Sequence, residues 1–112
     1  MDLEEARAGI RAVDTEMARL FEKRMELAKA VAAYKKERGL PIEDKAQEAR
    51  MIEELGAGIG NEALRPFYVR FLTGTIEVSK LWQRLLTEGE QAKRGAEEAA
   101  AQDALRKESE RG

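Results

Sequence analysis

Two cations interrupt an otherwise apolar helical stripe near the start of the chain. Through residues 1–38, apolar or small side chains recur at three- and four-residue steps: Leu3, Ala6, Ile10, Val13, Met17, Leu20, Leu27, Val31 and Tyr34. That spacing is one face of an α-helix. The step after Leu20 lands on Arg24, and Lys35 lies almost on the same face, since a helix turns about 100° per residue. Ala28 and Val31 lie between them on that face. Two cations facing a protein interior are costly unless an anion meets them. Either each pairs with Asp or Glu of a neighbouring helix, or together they line a pocket for an anionic ligand.

Further polar residues stand where apolar ones are expected. In the last apolar segment Val69, Leu72, Ile76 and Leu86 mark a stripe, widened by Phe71, Val78 and Leu85. The same steps from Ile76 reach Ser79 and then Gln83, a hydroxyl and an amide one turn apart. Asp44 and Glu48, also one turn apart, open the segment between. Each alone reads as a satisfied core group or a helix cap. With Arg24 and Lys35 they read as the lining of one pocket. Arg7 is one more candidate, but it lies roughly 25 Å of helical rise from Arg24. The two cannot meet one small molecule from the same helix. If two such helices cross antiparallel in a two-fold dimer, Arg7 of one chain reaches the site of the other.

What this set could catalyse is bounded by what is missing. The chain has no cysteine and no histidine. Disulfides, thiolate chemistry, the usual general base, the usual metal ligand and the Ser-His-Asp arrangement are all excluded. No metal or cofactor is expected. An enzyme of this composition must run a reaction that needs little proton transfer and no covalent intermediate.

The elements that position these residues all read as helices. The first spans Met1 to Arg38, with Gly39 suited to the position after its end and Pro41 unable to continue it. At roughly 55 Å it is too long to bury its stripe against one short chain, so a partner chain is expected. Leu40-Pro41-Ile42 reads as a crossover and Asp44 as an N-cap. A second helix covers Lys45–Leu55, turning Met51, Ile52 and Leu55 inward. The glycines of the following loop, 56–61, lack dinucleotide-binding spacing and follow no strand. A third helix starts near Pro66 and ends near Thr87. The expected fold is all-α: long, short and medium helices intertwined in a two-fold homodimer.

At 112 residues the chain is one small domain, placed at 1–87. The rest, 88–112, is charged and Ala/Glu-rich, with Leu105 its only large apolar side chain; it suits a helical extension or a disordered tail. Twenty basic residues against 22 acidic ones mark no nucleic-acid footprint. No apolar run approaches a membrane span, and the acidic start lacks a signal-peptide core, so a cytoplasmic location is expected.

Taken in order, Arg7, Asp14, Arg24-x-x-Leu27-Ala28, Lys35, Pro41-Ile42-x-Asp44, Glu48 and Ile76-Glu77-x-Ser79-x-x-x-Gln83 form a pattern that resembles the all-helical class of chorismate mutases. The resemblance covers about residues 3–86. It implies an intertwined homodimer with two equivalent active sites and no cofactor. Its small-molecule substrate is chorismate, a dianion that rearranges to prephenate on the way to phenylalanine and tyrosine. By position, the resemblance assigns one carboxylate to Arg24 and the other to Arg7 of the partner chain. Lys35 and Gln83 donate to the ether oxygen of the breaking bond. Glu48 and the backbone at Asp44 hold the ring hydroxyl, and Ser79 lines the carboxylate end.

One position departs from the pattern. Three residues after Asp44 the family usually has an arginine facing the substrate, and this chain has Gln47. Glutamine supplies neither charge nor fork. Weaker substrate binding is expected rather than lost chemistry, with Arg50 able to compensate in part if it curls back. Two other readings fit a histidine-free helical dimer: an isochorismate-pyruvate lyase on the same scaffold, and a non-catalytic module. Pro41-Ile42-x-Asp44 with Glu48 looks more like the mutases.

Overall fold

The computed structural model describes residues 1–111, with side chains described for 1–89 and 95–110. The order of elements is α1 (Leu3–Glu37), α2 (Lys45–Ala57), a 3₁₀ turn (Glu62–Leu64) and α3 (Arg65–Arg111). There is no strand among the described residues, and the fold is all-α as expected. The chain falls into two units, Met1–Pro41 and the remainder from Ile42.

The first unit is α1 with its two caps. The Asp2 carboxylate accepts the Glu5 N–H at 2.8 Å, and Glu4 and Glu5 complement the positive helix start. The other end stops as expected at Gly39, whose φ of 64° is the left-handed conformation that side chains oppose. The Leu40 N–H donates to the Lys35 carbonyl at 2.8 Å and the Gly39 N–H to the Lys36 carbonyl at 3.2 Å, a Schellman motif. Lys35 is thereby anchored through its own backbone. Gly39→Ala is expected to destabilise the protein by about 1 kcal/mol, read as a lower urea midpoint with an unchanged slope.

Two faces run along α1. The stripe that includes Leu3, Ile10, Val13, Met17, Leu20, Leu27, Val31 and Tyr34 is 43–63 % exposed in the single chain. Ala28 and Ala32 are the buried positions. Val31, expected beside Ala28, is therefore corrected to Ala32. Starting from Arg24, Ala28 and Ala32 lie about 40° and 80° round the helix, while Val31 lies about 20° the other way. Arg24 and Lys35, both half-buried, stand at the border of the alanine face.

In the second unit α2 packs on α3. Asp44 caps α2 as expected, its Oδ1 accepting the Gln47 N–H at 3.1 Å. Met51 and Ile52 are half-buried, but Leu55, expected inward, is 46 % exposed. Gly56 is the buried residue instead, because a backbone without Cβ can lie close against α3: a Cβ there would come within 3.2 Å of Val69 Cγ2. The loop after α2 is tied by Asn61 Oδ1, which accepts the Ala63 N–H, and by Arg65 Nε, which donates to the Ile59 carbonyl at 2.9 Å.

Pro66 sits in the first turn of α3 as expected. The helix does not end near Thr87; it continues to Arg111, about 70 Å in all at 1.5 Å per residue. Helix-forming residues without an apolar stripe carry it, aided by pairs such as Asp103 with Arg106 and Lys107. Gly112, the last residue of the tail, lies outside the described residues. Phe71, Val78 and Leu85, expected to widen the buried stripe, are 56 %, 43 % and 62 % exposed. They lie about 100° or more round α3 from Leu72 and form a separate outward face. No helix among the described residues is long and apolar enough to cross a membrane.

Candidate active site

The buried face of α3 begins as a core stripe and turns polar. Leu72 and Ile76 are buried, and the next buried positions are Ser79, Lys80 and Gln83. Their steps follow the spacing of an apolar helical face, so three polar side chains occupy core positions. Ser79 Oγ donates to the Thr75 carbonyl at 3.0 Å, the back-bond of a helical hydroxyl.

Lys80 was not among the residues singled out from the sequence. Its side chain is only 7 % exposed. Nζ contacts Glu48 Oε1 at 2.7 Å, Glu77 Oε1 at 2.8 Å and Glu43 Oε1 at 3.4 Å. Hydrogen bonds to Glu48 first, then Glu77, raise the Lys80 pKa well above the usual lysine value against the opposing effect of burial; Glu43 adds to the rise. The signal for this residue was present: the four-residue step from Ile76, one of the two helical steps, lands on Lys80.

Glu48 is held from two sides. While Oε1 meets Lys80, Oε2 accepts the Asp44 N–H at 3.0 Å. Asp44 in turn caps Gln47. A carboxylate acceptor thus stands at the start of α2, its orientation fixed by the backbone N–H of Asp44. Gln47 is exposed, and its Oε1 accepts from Arg50 Nη2 at 3.0 Å. Arg50 does curl back, onto the glutamine.

On α1, Arg24 and Lys35 share the border of the alanine face, about 16 Å apart along the helix axis. Arg7 is exposed and lines a shallow groove with Ile10, Arg11, Asp14, Thr15 and Ala18, all residues of α1. That groove is roughly 25 Å along the helix from Arg24, so α1 does not bring the two arginines together within one chain. Asp44, Gln47 and Glu48 are brought together at one helix start. Ser79 and Gln83 share one buried face with Lys80.

A match to the family described as Chorismate mutase type II covers residues 6–84, a stretch that contains every residue discussed here from Arg7 to Gln83. No curated protein and no solved structure gives a match.

Proposed function

The chain belongs to the chorismate mutase type II family, and from that membership we propose that it is an isomerase converting chorismate to prephenate in aromatic amino acid biosynthesis. The observation that carries this reading is the burial of Ser79 and Gln83 on the core face of α3. Buried polar side chains are retained at a cost, and a polar substrate gives them a use. The reaction is a unimolecular [3,3] rearrangement that needs no acid, base, metal or nucleophile. A chain without histidine or cysteine loses nothing by their absence.

In this proposal Arg24 grips one substrate carboxylate and Arg7 of a second copy grips the other, folding the enolpyruvyl group over the ring. The exposed apolar stripe of α1 supports such a second copy, since an uncovered apolar face of that length marks an association surface. Glu48 accepts the proton of the ring hydroxyl beside the Asp44 backbone, whose N–H already donates to Glu48 Oε2 at 3.0 Å. Ser79 lines the carboxylate end. As the C–O bond breaks, negative charge grows on the ether oxygen, where Lys35 and Gln83 donate. Donors placed in advance favour that state over the ground state.

Gln83 carries no proton that titrates. The expected kcat is free of the rise between about pH 7 and 5 that a glutamic acid would need in order to donate. A steep rise in kcat over that interval would place a protonated carboxyl in the donor role and remove Gln83 from it.

The deciding experiment mixes the purified protein with chorismate near neutral pH and follows loss of its ultraviolet absorbance. Acid conversion of the product to phenylpyruvate identifies prephenate. Turnover supports the proposal and shows that Gln47 is tolerated. Turnover of isochorismate alone would reassign the protein as a lyase. Inertness toward both would leave a non-catalytic helical dimer.

A further inference from the structure

Among the described residues Lys80 is the most enclosed cation of the second unit, and the reaction outlined above does not use it. We propose that Lys80 is a positioning residue, holding the Glu48 carboxylate in the orientation that receives the substrate's ring hydroxyl and offsetting the negative charge gathered beside it. This role rests on the reading of the site as a chorismate mutase.

The geometry separates Glu48 from the other two carboxylates around Lys80. Glu48 makes the shortest contact, 2.7 Å, and is the least exposed of the three at 19 %, against 44 % for Glu43 and 57 % for Glu77. It is also the one whose second oxygen is engaged, by the Asp44 N–H at 3.0 Å. With one oxygen on an α3 ammonium and the other on an α2 amide, the carboxylate plane is pinned across two helices. A carboxylate can accept about four hydrogen bonds, so holding it at Lys80 and at the Asp44 N–H is compatible with accepting from a hydroxyl as well.

Electrostatics gives a second reason. Glu43, Glu48 and Glu77 converge on the Lys80 ammonium, and without it they would repel a dianionic substrate. The low exposure of Lys80 keeps the interaction from being screened. The bland alternative is a structural tie between α2 and α3. An ion pair buried for packing alone is a poor stabiliser, because desolvation offsets much of the attraction. A tie would also work through the exposed Glu43 and Glu77 as well as through Glu48.

The test is a double-mutant cycle with Lys80→Met and Glu48→Gln, measured as kcat and KM for chorismate, with helix content and thermal midpoint followed in parallel. Lys80→Met is expected to raise KM about tenfold, the effect of one charge-assisted hydrogen bond. It should change kcat less than about threefold. In the Glu48→Gln background the same substitution should add little, because its effect is carried by Glu48. Lys80→Arg, which keeps the charge, should recover most of the loss. Glu77→Gln, an exposed partner of the same ammonium, should leave KM unchanged. If Lys80→Met does not fold, Lys80→Gln takes its place in the cycle, since its amide can still hydrogen-bond the carboxylates. Additive losses, or a lowered thermal midpoint with unchanged KM, overturn the role and leave Lys80 a structural tie. A wild-type protein inert toward chorismate removes the functional reading and this role with it, so the two failures are told apart by the wild-type assay.

Discussion

Lys35→Ala is expected to lower kcat by about 10²–10³-fold while KM changes by only a few-fold. The argument starts from where charge appears. Chorismate carries little charge on its ether oxygen, whereas the rearranging molecule carries much more. A donor aimed at that atom is therefore worth most at the top of the barrier. An ammonium is the stronger of the two proposed donors, since a charge-assisted hydrogen bond is roughly twice as strong as a neutral one. The structure also suits Lys35 to such a role. Its backbone carbonyl accepts from Leu40 at 2.8 Å in the Schellman end of α1, so the base of the side chain is fixed before any ligand arrives. Alanine leaves those backbone bonds intact, and loss of activity is not expected to come from unfolding. Steady-state kinetics with chorismate decides the matter. A loss confined to KM would make Lys35 an anchor rather than a transition-state contact.

The second large effect is expected at Arg24. Arg24→Ala should reduce kcat/KM by roughly 10²–10³-fold, the usual consequence of truncating one member of a desolvated charge pair. A guanidinium fork fixes a carboxylate in position and in plane, and alanine removes both. The helical protein should survive the change, because Arg24 stands at the border of the alanine face and not within it. Circular dichroism and sedimentation of the variant, run beside the kinetics, separate the outcomes. A protein that unfolds or changes its assembly would mark Arg24 as a structural ion-pair member. A folded, inactive protein would mark it as the substrate clamp.

Much of this molecule is local and could be read from the chain. Gly39 ends α1 because only glycine adopts its backbone conformation without strain, and Asp44 starts α2 because its short carboxylate reaches the next turn's amide. Ser79 and Gln83 were legible as departures from a periodic stripe, since each breaks a rule that the residues around it keep. Arg24, Lys35 and Glu48 were singled out for the same reason, and Arg7 through the family pattern.

What stayed hidden depends on which face meets which neighbour. Val31 and Ala32 are adjacent in sequence, as are Leu55 and Gly56, and in each pair the smaller residue is the buried one. Hydrophobicity alone favours the larger, whereas close helix packing admits the smaller. The continuation of α3 to Arg111 was legible only as one of two alternatives, helical extension or disordered tail, for a charged segment with no apolar stripe gives periodicity nothing with which to decide. Lys80 is the clearest case. A lysine is by default a surface residue, and its burial becomes tolerable only when carboxylates surround it. Glu77 comes from its own helix turn, but Glu48 and Glu43 arrive from 32 and 37 residues away. The sequence by itself determined the helices, the start of each, the end of α1 and the polar breaks in their stripes, because those depend on neighbours within a turn or two. Only the tertiary structure decided that Lys80 is buried against Glu48, because that depends on packing α2 onto α3.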